Sequence, residues 1–304
     1  MVCVTRINLK TDAESRDDLL KFCLYGKKQY LIIGWSKVYE DSLNINTYED
    51  YYYAVREKYK DNKKHWRYNH CHNVFMKTKE GDLFWTRDLE GMYWICRVIG
   101  RAQSMYNPQL DIGAAIPVNA FKFGLEVPGQ IKASFNRPRG GTCEDIKDES
   151  IIEFSKKAFN EASGIDKYEV KKEENDFLDT LPDFELEELI ISYIQIVDDY
   201  YLLSNSIANK STTVKIECEF INRDITKKKK AVLQVKGGKK AVINALDYKA
   251  FDKEGYIVYF FAPKIINQDK LKNIKVITRE QIEAFYKEYK SILPESITKW
   301  ENIL

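Results

Sequence analysis

Apolar positions in the first half of the chain come in short runs. Residues 30–38, YLIIGWSKV, start apolar and turn polar, as a buried strand does. Residues 47–60 are charged and Tyr-rich, lack Gly and Pro, and predict a helix. GDLFWTRD and GMYWICRVIG read as two strands joined by a turn near Glu90 and Gly91, and IGAAIPV and GQIKASF as two more. Pro117, Pro128, Gly129, Pro138, Gly140 and Gly141 punctuate this region. Many short strands with such turns predict a small barrel. Residues 150–162 then place Ile151, Ile152, Phe154, Ala158 and Phe159 on one helical face.

Residues 166–180 are charge-dense (VKKEEND) and predict a linker. From Leu181 the pattern changes. ELEELIISYIQIV is amphipathic with a helical period, and TTVKIECEFI and KAVLQVKGG are strands split by a polar turn at 223–229. Residues 241–251 predict a helix, and GYIVYFFAP and NIKVIT two further strands. Thr278 and Gln281 have capping-box spacing at the start of a last helix. The order helix, strand, strand, helix, strand, strand, helix predicts an α/β domain with a mixed sheet. The chain therefore divides into residues 1–145, a helix and linker at 146–180, and 181–304.

Composition adds limits. A 304-residue chain with 44% hydrophobic and 31% charged residues has material for packed cores. A net charge of +2 excludes a general polyanion binder, so affinity for nucleic acid has to be local. Residues 223–240 hold eight Lys or Arg against one acid, Asp224. Within them Lys227, Lys228, Lys229, Lys230, Lys239 and Lys240 read either as phosphate contacts or as a solvated turn. Six scattered cysteines without a CxxC do not form a disulfide framework. The N-terminus lacks a signal-peptide layout, and no apolar run is long enough to cross a bilayer. A cytoplasmic setting without membrane attachment is expected.

The segment IECEFINRDITKKKKAVLQVKGG carries the candidate chemistry. Residues two apart on a strand share a face, so Gln234 and Lys236 project together, as do Glu217 and Glu219. If the two strands pair, a carboxylate meets the Gln-x-Lys pair at one end of the sheet. Acidic and neutral oxygens hold a hard cation, and a lysine can orient a water or stabilise developing charge. The same glutamates and lysines also suit a solvated strand face.

These residues resemble the PD-(D/E)XK nuclease superfamily, in particular its Mrr-like, restriction-endonuclease-like branch, whose last motif is often Q-x-K. The matching positions are Gln234-Val235-Lys236, Glu217 in KIECEF, and Glu187 in Glu187-Glu188-Leu189-Ile190, over roughly residues 181–265. The resemblance implies that Glu217 and Gln234 bind Mg2+ or Mn2+, that Lys236 positions a water, and that Glu187 supports the site. Glu219 is an extra acid on the same face and the alternative ligand.

VFMKTKEGDLFWTRDLEGMYWICRV is similar to PUA-like barrels, EVE-like domains especially, through Lys79-Glu80-Gly81-Asp82-Leu83-Phe84-Trp85 and the upstream IIGWSKV. The similarity spans about residues 1–140. It implies a domain that binds a modified base turned out of the duplex. Such a base needs aromatic faces and a few polar groups. Trp35, Trp66, Trp85 and Trp94 are candidate walls, with Tyr93 and Asp82 beside them. The same residues equally suit strand and core positions, or a surface that docks a partner.

His65, His70 and His72 stand within eight residues, beside Cys71. Their spacing is not that of a structural zinc site, and in a strand Cys71 would point away from His70 and His72. Hydrogen-bonded or surface histidines are expected.

The combined expectation is α+β and α/β: a PUA/EVE-like small β-barrel domain followed by a restriction-endonuclease-like mixed sheet flanked by helices. The function expected is a metal-dependent endonuclease of the restriction, antiviral-defence type. Its substrate is double-stranded DNA, including base-modified DNA, and one site per chain would favour a homodimer. The alternatives are a catalytically inactive DNA-binding module or a subunit of a defence complex.

Overall fold

Short runs of β-branched and aromatic residues build the first half. The structure is a computed structural model that describes residues 2–41, 44–61, 65–137, 141–171, 176–206, 216–226 and 228–302. Backbone contacts divide it into two units, Met1–Lys171 and Lys172–Leu304. The division falls inside the charged stretch 166–180, whose residues 172–175 lie outside the described residues.

The first unit contains β1 (Val4–Ile7), β2 (Gln29–Ile33), β3 (Leu83–Arg87), β4 (Tyr93–Val98), β5 (Gln103–Asn107), β6 (Ile112–Gly124) and β7 (Cys143–Ile146). They form one sheet in the order β2-β6-β4-β3-β1-β7, with β5 also on β6. β3 and β4 are an antiparallel hairpin, turned at Gly91 with φ +84°. β6 is the longest strand. Its first half pairs with β2 and β5 and its second half with β4, across a register shift at Tyr93 and Trp94. One strand serving three partners curls the sheet into a half-barrel. The small barrel expected from the sequence takes the form of this half-barrel, with no described pairing between β7 and β2.

Four helices of eight or more residues belong to this unit: α1 (Tyr48–Lys58), α2 (His65–Lys77), α3 (Gly129–Asn136) and α4 (Glu149–Ser163). Thr47 and Asp50 close a capping box at the start of α1. GQIKASF is helical as α3, contrary to the strand expected. Its buried residues Ile131, Ser134 and Phe135 fall at i, i+3 and i+4, and Pro128 precedes the first turn. α4 buries Ile151, Phe154, Ala158 and Phe159 and packs on β4 and β6. Asp148 caps it, and Gly164 ends it in the left-handed conformation. Trp85 is fully buried beneath α4, and its indole N–H donates to Ser155 Oγ at 2.8 Å.

The histidine cluster sits on α2, a helix and not a strand, so consecutive side chains fan out and His70, Cys71 and His72 cannot converge on one ion. His70 Nε2 bonds the Cys143 carbonyl at 2.9 Å. His72 is buried, with Nδ1 2.9 Å from Tyr48 Oη. The side chain of His65 lies outside the described residues.

The second unit continues with β8 (Tyr200–Leu203), β9 (Cys218–Asn222), β10 (Lys230–Val235), β11 (Val242–Asn244), β12 (Ile257–Phe261), β13 (Lys264–Ile266) and β14 (Ile274–Val276), and the helices α5 (Asp183–Ile196) and α6 (Arg279–Tyr289). The main sheet has the order β14-β12-β10-β9-β8, and β11 pairs with β13 separately. β8, β9 and β10 are antiparallel neighbours, while β10, β12 and β14 run parallel. The sheet is therefore mixed. β8 (YYLL) is a strand the hydrophobic pattern did not reveal. Residues 241–251, expected as one helix, form β11, a 3-10 turn at Ala245–Tyr248 and one helical turn at Lys249–Lys253. Asn244 stops the strand by accepting from the Leu246 N–H. This segment packs Ile243, Ala245 and Tyr248 against Val232, Val258 and Phe260 on one face of the sheet. α5 and α6 pack on each other through Tyr193 and Phe285, whose rings meet edge to face at 5.5 Å. Thr278 and Gln281 form the capping box of α6. No helix among the described residues is long and apolar enough to cross a membrane.

Two outcomes follow for the first unit. Ser155→Ala leaves a buried indole N–H without its acceptor, and should lower stability by about 1–3 kcal/mol, read from tryptophan emission in urea. Burial depresses His72 from its ordinary range to about 4. Its folded pKa lies below the unfolded one, so the unfolded chain takes up the proton first. Stability should fall as pH drops from 6.5 toward 4, by up to about 3 kcal/mol from this residue. A His72→Asn variant, which keeps an acceptor beside Tyr48, should lose less over the same interval; equal losses would refute this account.

Candidate active site

β10 is paired on both edges, and its carboxyl end carries the candidate residues. Glu217 stands one residue before β9, where its N–H donates to the carbonyl of Leu233, the residue paired with Cys218, at 2.8 Å. Gln234 is only 3% exposed. Its Nε2 donates to Glu217 Oε1 at 2.7 Å and to the Val235 carbonyl at 2.7 Å, while its Oε1 accepts from Tyr248 Oη at 2.9 Å. Both ends of the buried carboxamide are thus satisfied. Burial, and then the nearby Asp247 and Glu217, push the Tyr248 phenol well above its ordinary range.

Lys236 does not join this pair. Its N–H continues the pairing to the Phe261 carbonyl at 2.9 Å, but its exposed side chain donates to the Val242 carbonyl at 2.8 Å. The expectation from the sequence set Lys236 beside the carboxylate; here its long flexible stem carries the ammonium to a backbone acceptor of β11. Glu219 stands opposite Val232, two residues nearer the hairpin, so Glu217 is the acid that faces Gln234. Glu187 is half-buried on α5. A methyl group on Gly237 would lie 3.1 Å from Asp183 Oδ1 and 3.2 Å from Leu186 Cδ2, so the first turn of α5 abuts the backbone just after Lys236. Asp183, Leu186 and Glu187 share one helical face. Asp183 is an acid the sequence reading missed. The available signal was its place in the first helical turn, four residues before Glu187.

Among the described residues, no group of three or more His, Cys, Asp or Glu side chains is placed to hold a metal. What converges is mixed: one carboxylate oxygen and one backbone carbonyl, both 2.7 Å from the same amide nitrogen. Carboxylate, carbonyl and carboxamide oxygens are the ligand types of Mg2+ and its relatives, which retain several waters. The residues fit such a cation with a single negative charge, provided the Gln234 amide turns its oxygen toward Glu217.

The lysines separate into two places. Lys227 lies outside the described residues. Lys228, Lys229 and Lys230 are exposed at the β9–β10 hairpin, and the Lys230 ammonium lies over the Tyr256 ring at 5.6 Å. Gln234 is four residues farther along the strand, roughly 13 Å at the usual rise. The hairpin lysines therefore cannot border the site, because an antiparallel turn stands at the opposite end of the strand. Lys239 and Lys240 are exposed immediately after Gly237 and Gly238, at the carboxyl end.

In the first unit the proposed base walls diverge. Trp85, Trp94 and Tyr93 are core residues with no free ring face; the Trp94 N–H donates to Asp88 Oδ2 at 2.9 Å. The Trp66 side chain lies outside the described residues. Trp35 lines a cavity of about 340 Å³, with Asn8, Lys10, Thr11, Asp12, Asp111 and Thr142 among its other residues. Its backbone has φ +67°, rare for a bulky residue, and its ring meets Tyr68 edge to face at 4.6 Å. Asp111 ties the rim: Oδ1 accepts from Ser36 N–H at 2.9 Å and Ser36 Oγ at 2.8 Å, and Oδ2 accepts from Asp12 N–H at 3.1 Å. Asp82 lines a different cavity, of about 470 Å³, and accepts from the backbone N–H groups of Cys3 and Lys79.

No protein family matches the sequence. A search of curated proteins returns no match. Among solved structures, the MspJI restriction endonuclease in complex with a 27-mer oligonucleotide is a distant structural neighbour. It is 8% identical, over 80% of this chain and 68% of that chain, with a TM-score of 0.25. At that level of likeness the fold and the site stand on the chain's own geometry.

Proposed function

We propose that the second unit hydrolyses phosphodiester bonds of double-stranded DNA with Mg2+ or Mn2+, and that the first unit selects the DNA. One observation carries this reading: Glu217 Oε1 and the Val235 carbonyl converge on a single point at the carboxyl end of β10. Strand carboxyl ends are where open sheets with parallel strands hold ligands. Gly237 and Gly238 follow directly and leave the backbone accessible to a bulky substrate.

A bound cation would polarise the phosphate and acidify the attacking water. Glu217, the Gln234 carboxamide and the Val235 carbonyl would hold it. Lys236 releases the Val242 carbonyl and orients the water or phosphate, while Asp183 and Glu187 lie on the α5 face that abuts Gly237. Lys239 and Lys240 grip the DNA backbone. In the first unit, the Trp35 cavity accepts an extruded base, modified bases included. Cutting both strands then takes two copies of the chain, and defence against foreign DNA is the role such an enzyme would serve.

A second reading, a DNA-binding module that does not cut, is favoured by two observations. Lys236 is tied to Val242, and among the described residues no group of three His, Cys, Asp or Glu side chains is placed to hold a metal. Supercoiled plasmid, modified and unmodified, separates the readings when incubated with Mg2+, Mn2+ or chelator. Metal-dependent nicking is expected, reduced on the order of 100-fold or more in Glu217→Ala and in Lys236→Ala. Retained binding with an intact plasmid under every metal condition would favour the second reading.

The base-reading role has its own test. Trp35→Ala should lower the preference for modified over unmodified duplex by about tenfold, the loss of one stacked base. It should leave the salt dependence of binding unchanged. Lys239→Ala and Lys240→Ala should do the reverse, each reducing the salt slope by about one. An unchanged preference in Trp35→Ala would remove the cavity from the proposal.

A further inference from the structure

The Gln234 amide nitrogen faces the two oxygens that would hold the proposed cation. Both of its protons are used, one on Glu217 Oε1 and one on the Val235 carbonyl. A cation lodged among these groups needs an oxygen from Gln234 in place of that nitrogen. The amide group is planar, its two ends are nearly equal in size, and turning it over exchanges them without repacking. With 3% exposure, Gln234 has no solvent to take up the displaced end. The end that leaves must meet Tyr248.

Resting on the metal-dependent reading above, we propose that Tyr248 is a positioning residue whose hydroxyl lets the Gln234 amide reverse when a divalent cation binds. In the structure Tyr248 Oη donates to Gln234 Oε1 at 2.9 Å. After reversal the same position faces the Gln234 NH2 group. A hydroxyl both donates and accepts, so Tyr248 satisfies either orientation by rotating its proton. A lysine there could only donate and a carboxylate could only accept, and each would lock one orientation. The tyrosine ring is held in place: it is 5% exposed and meets Phe260 edge to face at 4.9 Å. The oxygen atom therefore stays put while its role changes from donor to acceptor.

The test follows the amide and the phenol, not cleavage. The full chain is labelled with 15N, and the side-chain amide pair of Gln234 is assigned by its absence in Gln234→Glu. Mg2+ or Ca2+ is added, and binding is measured in parallel by calorimetry. In the wild type, the Gln234 pair should shift on saturation, and tyrosine absorption near 280 nm should move to shorter wavelength as Tyr248 becomes an acceptor. The absorption change should vanish in Tyr248→Phe. Gln234→Glu needs no reversal, because its two oxygens are equivalent. It should bind the cation about tenfold more tightly through its added charge and show no tyrosine signal. Calorimetric binding with both wild-type signals unmoved would overturn the role of Tyr248 and leave the metal reading intact. Absence of binding in both the wild type and Gln234→Glu would overturn both.

Discussion

Everything at the candidate site depends on the register between β9 and β10. Cys218 and Phe220 face one way and are fully buried against the side of the sheet that also carries Ala231 and Leu233. Glu217, Glu219 and Ile221 face the other way. A slip of one residue would drive both glutamates into the core and expose Cys218 and Phe220, which the burial of apolar surface forbids. The burial of hydrophobic side chains on the opposite face thus helps fix the contact between Glu217 and Gln234. β12 holds the other edge of β10 in a parallel ladder that continues to Lys236.

The first unit has a comparable anchor. Arg6 on β1 is fully buried; its two terminal nitrogens donate to the Gly141 carbonyl at 2.6 Å, the Thr142 carbonyl at 3.2 Å and Glu144 Oε2 at 2.9 Å, while its Nε is left without a partner. The Phe135 ring lies 5.6 Å from the same group. Gly141 and Thr142 border the Trp35 cavity, so the buried charge fixes one wall of it, as Asp111 fixes another. A buried ion of this kind adds little net stability, but losing any partner would leave an uncompensated charge.

How much could be read beforehand varied with the length and period of each segment. α4 and α5 carry three or more turns of periodic apolar residues, and β3, β4, β10 and β12 are dense in aromatic and branched residues. Both patterns were plain in the sequence. GQIKASF was not, because its few apolar residues suit either period and only the sheet beside it decides. β8 has four residues, too few to show alternation. The opposition of Glu217 and Gln234 was legible from the period of two once the strands were taken as neighbours. The destination of the Lys236 ammonium was not, because strand geometry fixes the Cβ direction and leaves four further bonds free. Tyr248 and Asp183 were hidden for another reason: they reach the site through tertiary packing, from segments with no motif of their own. The tryptophans show the same limit, since Trp35 and Trp85 differ only in what surrounds them.

The hairpin lysines lead to a statement about scale. Lys230 stands roughly 13 Å from Gln234 along one stiff strand, with Lys228 and Lys229 just before it. Nucleotides along one DNA strand are spaced by about 3.4 Å, so β10 measures out about four of them. A duplex lying along this strand would be held at a phosphate about four steps from the bond at the carboxyl end. β10 would then serve as a ruler, setting the interval between grip and reaction by its residue count.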